Sequence, residues 1–280
     1  MYKILKKEAL NPTVTRMVIE APFVAKRAKA GQFIILRVRE QGERLPLTIA
    51  DSNPEKGTVT IIFQVVGETT MLLNALNEGD CLEDFAGPLG KPSLIDGNKK
   101  VCIIGGGVGC AIAYPTAKAF HEAGADVTTI VGFRNKDLVI LEEEFKKVSD
   151  AYYLMSDDGS VGEKGLVTNK LEDLITGGEK FDEVVAIGPI VMMKFVSLTT
   201  KKYNIPTTVS MNPVMIDGTG MCGGCRLKVG DEIKFACVDG PDFDGHLVDF
   251  DQAMARNTAY KSFEAHKRDE ACHLLNKEVE

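Results

Sequence analysis

The chain has 280 residues, 44% of them hydrophobic and 26% charged, and a formal net charge of −7. That length suits one or two domains with real cores, and the composition is that of an ordinary soluble globular protein. The acidic balance, with no basic block and no regular aromatic–basic interleaving, argues against nucleic acid. No run approaches the roughly 18 apolar residues of a membrane span.

Met1 to Glu8 has no signal-peptide apolar core, so a cytoplasmic, reducing location is expected. Seven cysteines there read as metal ligands or buried thiols rather than disulfides. There is no internal repeat.

Residues 1–97 read as a small antiparallel β-barrel. Thr13 to Glu20, Gln32 to Val38 and Thr58 to Val66 are β-rich runs bounded by Gly31, Gly57 and Gly67. One helix is expected from Thr70 to Leu76. Two stretches carry candidate chemistry. In Arg44-Leu45-Pro46-Leu47-Thr48, a cation before a strand and a hydroxyl after Pro can hold a pyrophosphate and touch a flavin ring. In Gly67-Glu68-Thr69-Thr70, glycine and hydroxyls at a helix start form an anion site. The competing readings are a solvated loop cation and a plain helix cap. Gly87 to Pro92 reads as a turn-rich linker that closes the barrel.

Residues 98–212 alternate strand and helix, which predicts a mostly parallel sheet covered on both faces. Lys100 to Ile104 is a buried strand that runs into Gly105-Gly106-Gly107-Val108-Gly109, followed by a helix over 111–123. That context makes a phosphate cradle of the glycines, although the spacing is not the full dinucleotide fingerprint. Strands are expected over 126–132, 151–155, 181–187 and 207–211, and helices over 138–147, 166–175 and 191–203. The strand ends carry Arg134, Asp157, Asp158, Gly188 and Pro189, one groove for a nicotinamide cofactor. Arg134 could meet a 2′-phosphate, and the residues alone leave NAD and NADP open.

Residues 213–280 hold the most specific signal. Asp217-Gly-Thr-Gly-Met-Cys222-Gly-Gly-Cys225, then Cys237, reads D-x4-C-x2-C-x11-C. Asp217 stands where a ferredoxin-like pattern has its first cysteine, so Asp217, Cys222, Cys225 and Cys237 are the candidate metal ligands. Structural zinc and a metal-free thiol loop are the alternatives. Cys102 and Cys110 read as packing residues, and Cys272 is too distant, in a charged helical tail over 263–280. His121, His246, His266 and His273 do not cluster.

In order, the Arg-x-Pro-Leu-Thr barrel, the GGGxG nucleotide domain and the late cysteine lobe resemble the ferredoxin–NADP reductase superfamily. Residues 217–241 are similar to the small (alpha) subunits of NADH-dependent reduced ferredoxin:NADP oxidoreductases. These are related to the electron-transfer subunits of class 1B dihydroorotate dehydrogenases. The latter use four cysteines, whereas Asp217 takes the first place here. The resemblance implies FAD, a [2Fe–2S] cluster and NAD(H). Arg44 would hold the FAD phosphates, Pro46, Leu47 and Thr48 would flank the isoalloxazine, and Gly67, Thr69 and Thr70 would bind pyrophosphate or ribitol. It also implies a heterodimer with a larger FAD/[4Fe–4S] subunit that binds NADP(H), and ferredoxin as a partner of the complex. Phe243, Leu247, Phe250, Met254, Tyr260 and Phe263 make the tail too apolar to be solvated; they are read as packing on that subunit, the alternative being the chain's own domains. The rival readings are a dihydroorotate dehydrogenase electron-transfer subunit and a zinc-stabilised, non-redox nucleotide-binding module.

Overall fold

The structure, a computed structural model, describes residues 2–268. Seven strands build the first sheet: β1 (Tyr2–Asn11), β2 (Val14–Glu20), β3 (Phe33–Arg37), β4 (Leu45–Asn53), β5 (Thr58–Gln64), β6 (Cys81–Leu82) and β7 (Asp84–Leu89). Helix α1 (Pro22–Ala25) follows β2, and α2 (Glu68–Ala75) follows β5. The sheet order is β6-β1-β2-β5-β4-β3-β7, antiparallel throughout. Strands β6 and β7 follow one another in the chain, so one passage supplies both edges and closes the barrel. Met17 and Ile19, Ile34 and Leu36, and Val59, Ile61 and Phe63 alternate along their strands and fill its interior.

Two departures from the sequence reading have local causes. Strand β1 escapes notice because Ile4 is its one fully inward residue and two bulges break its period. Gly87 to Leu89, expected as linker, is the end of β7.

The second sheet contains β8 (Lys100–Gly106), β9 (Asp126–Phe133), β10 (Ala151–Ser156), β11 (Glu163–Lys164), β12 (Glu183–Ile187) and β13 (Thr207–Ser210). Helices α3 (Cys110–Glu122), α4 (Glu142–Lys147), α5 (Val167–Thr176) and α6 (Ile190–Lys202) alternate with them. The order β11-β10-β9-β8-β12-β13 is parallel throughout. On β8, Val101 and Ile103 face one core while Cys102 and Ile104 face the other, and all four are fully buried. A strand buried on both faces reads as a continuous apolar run, which is why it was legible. Helix α4 starts later than expected because Leu141 adopts φ +58, outside helical space. Strand order reverses between β8 and β12, the place where open α/β sheets bind ligands.

The lobe adds the hairpin β14 (Arg226–Val229) and β15 (Glu232–Phe235), then β16 (Asp242–Asp244) and α7 (Phe250–Asn257). Strand β16 pairs antiparallel with β13, so the lobe is fastened to the edge of the nucleotide sheet. This corrects the reading of the C-terminal aromatics. Phe243 and Phe250 pack into the chain's own core beside Met193, Val196 and Val209, because β16 and α7 fold back onto α6. Leu247, Tyr260 and Phe263 remain exposed. The expected tail helix is observed over 261–268; Cys272 and His273 lie outside the described residues. Among the described residues, no helix is long and apolar enough to cross a membrane.

Candidate functional site

The glycines after β8 and those after β12 meet at the switch point. A Cβ on Gly109 would lie 2.6 Å from Gly188 Cα and 2.7 Å from Ile187 O. One on Gly106 would lie 2.5 Å from Met192 Sδ and 3.1 Å from Pro189 Cδ. Only glycine lets these two loops touch. Gly107 differs: its φ is +55 and nothing stands within 4 Å of a Cβ there, so it faces open space above the α3 N-terminus. Further along the same sheet edge, the exposed loops after β9 and β10 are joined. Asp157 N–H donates to Phe133 O at 3.1 Å, and Asp158 N–H to Arg134 O at 3.3 Å. Ser160 N–H and hydroxyl hold the Asp158 carboxyl below its ordinary range. The structure therefore lines up Gly105, Gly106, Gly107, Gly109, Gly188, Pro189, Arg134, Asp157 and Asp158 along one edge of the sheet.

The barrel meets this domain through β4. Ala50 packs in the core that also holds Ala111 and Ala117 of α3, and Lys118 Nζ donates to Asp51 Oδ1 at 2.9 Å. Pro46, Leu47 and Thr48, paired with Ile35, Ile34 and Phe33, stay half-exposed on the same strand. At the start of α2, Gly67 is extended and open, with no atom within 4 Å of a Cβ. The Thr70 hydroxyl accepts from Val66 and Gly67 N–H at 2.9 and 3.0 Å and donates to Gly67 O at 2.9 Å, so it is spent on holding the helix start. Thr69 donates to Glu43 Oε2 at 2.6 Å, a partner the sequence did not suggest.

Arg44, just before β4, reaches the cysteine lobe. Its Nε donates to Ile216 O at 2.8 Å and its Nη2 to Asp217 O at 3.0 Å. The residue read as a flavin-phosphate cation thus touches the loop read as a metal site.

Within that loop the four candidate ligands stand as two pairs. Cys225 Sγ and Cys237 Sγ, both buried, are 3.2 Å apart. Asp217 Oδ2 accepts the Cys222 N–H at 2.7 Å, and Oδ1 accepts both the N–H and the hydroxyl of Thr219. Those donors, Thr219 first, hold the Asp217 carboxyl well below the usual carboxylate range. Backbone N–H groups also point at sulfur: Gly224 to Cys222 and Cys237 to Cys225, each 3.4 Å. Burial, followed by the Cys225 contact, pushes the Cys237 thiol up to about 12. A positive metal would reverse that preference, since a coordinating thiol is deprotonated.

Among the described residues, no three His, Cys, Asp or Glu side chains gather around a single-ion position. Three thiols and a carboxylate on one loop and hairpin, with N–H groups aimed at two of the sulfurs, are a donor set whose chemistry fits a two-iron cluster. Sequence reasoning missed Arg226 and Arg256, which hold loop carbonyls from the hairpin and from α7. Arg226 adjoins Cys225 and was visible in the motif; Arg256 carried no local signal.

Comparison with known proteins agrees with this construction. Residues 212–249 match the family described as the iron-sulfur cluster binding domain of dihydroorotate dehydrogenase B. The chain is 47% identical to a dihydroorotate dehydrogenase B (NAD(+)) electron transfer subunit homolog of Thermotoga maritima, over 94% of this chain and 93% of that protein. It is 33% identical to the electron transfer subunit of Streptococcus pneumoniae dihydroorotate dehydrogenase B (NAD(+)), over 86% and 94% of the two chains. The chain belongs to the dihydroorotate dehydrogenase B electron-transfer-subunit family. A member of this family is an oxidoreductase component, and the cysteine loop is its iron–sulfur domain. The fold also superimposes on a chain of an NADH-dependent reduced ferredoxin–NADP oxidoreductase, solved in work on flavin-based electron bifurcation. The TM-score is 0.91 and the identity 45%, over 96% of this chain and 97% of the other.

Proposed function

We propose that the chain is the NAD(H)-side electron-transfer subunit of an NADH-dependent reduced ferredoxin:NADP oxidoreductase that bifurcates electrons. Its cofactors are NAD(H), FAD and a [2Fe–2S] cluster. The observation that carries this reading is β4. Arg44, beside its first residue, touches the cysteine loop, its first half holds Pro46 to Thr48, and Ala50 and Asp51 beyond them meet α3 beneath the glycine loops. One strand of nine residues, spanning about 30 Å, links the three proposed sites in series.

The bound groups supply the redox chemistry: hydride exchange at nicotinamide and flavin, single-electron exchange at the cluster. The chain's residues position them. Gly105, Gly106, Gly107, Gly109, Gly188 and Pro189 form the nucleotide cradle, where open space above Gly107 and the α3 N-terminus favours a pyrophosphate. Arg134, Asp157 and Asp158 line the ribose end of the groove. Pro46, Leu47 and Thr48 would flank the flavin ring, while Arg44, Gly67 and Thr69 would face its phosphate and ribitol side, with Thr70 holding the α2 start that presents them. Asp217, Cys222, Cys225 and Cys237 would hold the cluster.

The partner is a larger FAD/[4Fe–4S] subunit that takes NADP(H), and ferredoxin exchanges electrons with the complex. The reading is supported by the likeness to the ferredoxin–NADP oxidoreductase chain, TM-score 0.91 over 96% of this chain, and by an aspartate at 217 where dihydroorotate dehydrogenase subunits use cysteine. Anaerobic co-purification tests it. The complex should carry flavin, iron and sulfide, and NADH should reduce it. Flavin without iron, or a dihydroorotate dehydrogenase catalytic chain as the co-purifying partner, would refute the reading.

A further inference from the structure

The cysteine loop is gripped from outside by three arginines. Arg44 holds the carbonyls of Ile216 and Asp217 at 2.8 and 3.0 Å. Arg226 Nη1 holds Gly223 O at 3.0 Å, and Arg256 Nη2 holds Gly224 O at 3.1 Å. They arrive from three directions: the barrel, the lobe hairpin and α7. The loop they hold has little stiffness of its own, because Gly218, Gly220 and Gly223 all sit at positive φ.

A trans peptide is planar, and its C=O and N–H point in opposite directions. Fixing a carbonyl therefore aims the N–H at the other end of the same peptide. The Gly223–Gly224 peptide shows both ends. Its carbonyl rests on Arg226, and its N–H points at Cys222 Sγ at 3.4 Å. A guanidinium on the oxygen also polarises the peptide and strengthens the N–H···S contact. Arg256 and Arg44 hold the carbonyls of the Gly224–Cys225 and Asp217–Gly218 peptides, which steadies the loop on both sides of Cys222.

We propose that Arg226, assisted by Arg256 and Arg44, which steady the loop, is a positioning clamp: it aims the Gly224 N–H at Cys222 Sγ, and the three cations together raise the reduction potential of the cluster. The inference rests on the cluster assignment above. Reduction adds one electron, so positive charge and N–H donors around the sulfurs favour the reduced form. Removing either should lower the potential without removing a ligand. Lysine keeps the charge but loses the planar fork, so it should restore only part.

The test is an EPR-monitored redox titration of the assembled complex, with iron, sulfide and flavin counted per chain. Arg226→Gln should lower the cluster midpoint with iron and flavin retained, Arg226→Lys should fall between it and the unaltered protein, and Arg256→Gln should shift the same way. Unmoved midpoints in loaded Arg226→Gln and Arg256→Gln would overturn the clamp while leaving the functional reading intact. If Arg226→Gln loses iron, the Arg256→Gln midpoint decides: lowered supports the clamp, unmoved overturns it. An iron-free unaltered complex would overturn the functional reading and the clamp together.

Discussion

Replacing Gly109 by alanine tests the meeting of the two glycine loops. The new methyl would stand 2.6 Å from Gly188 Cα, 2.7 Å from Ile187 O and 3.0 Å from Gly188 N. All three atoms are backbone at the end of β12, so no side chain can rotate away. The loop must retreat by about 0.8 Å to reach ordinary contact at 3.4 Å. Resistance is high because β12 pairs directly with β8, Ile187 opposite Gly105, at the centre of the sheet. Overpacking of this kind costs roughly 1–3 kcal/mol, and rigid backbone on every side puts the change near 3. At about 2–4 °C per kcal/mol, the melting temperature should drop by roughly 6–12 °C. Gly107→Ala is the control. Its methyl meets nothing within 4 Å, and only the φ of +55 is penalised, by about 1 kcal/mol or roughly 2–4 °C. It should weaken NADH binding more than its small stability loss implies, because the methyl enters the space proposed for the pyrophosphate. Thermal unfolding by circular dichroism and NADH titration by calorimetry read both effects. A Gly109→Ala protein that melts no lower than Gly107→Ala would refute the contact between the loops.

Three other outcomes are expected. Asp217→Cys should retain the cluster but shift its EPR spectrum and midpoint; an unchanged spectrum would remove Asp217 from the ligand set. Asp242 is half-buried with its carboxyl enclosed, Ser93 Oγ donates to it at 2.5 Å, and loss of solvent around the carboxyl raises its pKa. A raised carboxyl pKa in the folded state means stability is lost as pH climbs from the unfolded value, near 4, through the folded one. Asp242→Asn should flatten that loss in urea titrations run across this range, and an unchanged pH slope would count against it. NADH should reduce the flavin faster than NADPH in stopped-flow absorbance; an NADPH preference abolished by Arg134→Ala would reverse the cofactor assignment.

Legibility followed sequence distance. Strand β8 and the helices α3, α5 and α6 were readable because their apolar pattern lies within a single window. The hairpin β14–β15 was not: its strands alternate polar and apolar but are only four residues long, and Leu227 is its one buried residue. Thr70 reads equally as an anion ligand or a helix cap because hydroxyls at a helix start serve both purposes; in the fold its hydroxyl is bonded to Val66 and Gly67. Phe243 and Phe250 looked like interface residues because no window reveals that β16 pairs with β13.

The sequence by itself determined the cysteine loop and its candidate donors, since D-x4-C-x2-C is a local spacing, and it determined the glycine loop, since a strand running into clustered glycines leaves few other conformations. Only the tertiary structure decided how these parts address one another. Arg44 and Asp217 lie 173 positions apart, yet the guanidinium of one holds the carbonyl of the other at 3.0 Å. Cys225 and Cys237 become a buried pair because the β14–β15 hairpin folds the chain back on itself. Such contacts arise when separate apolar faces are buried together, and burial of that kind depends on the whole chain rather than on any stretch of it.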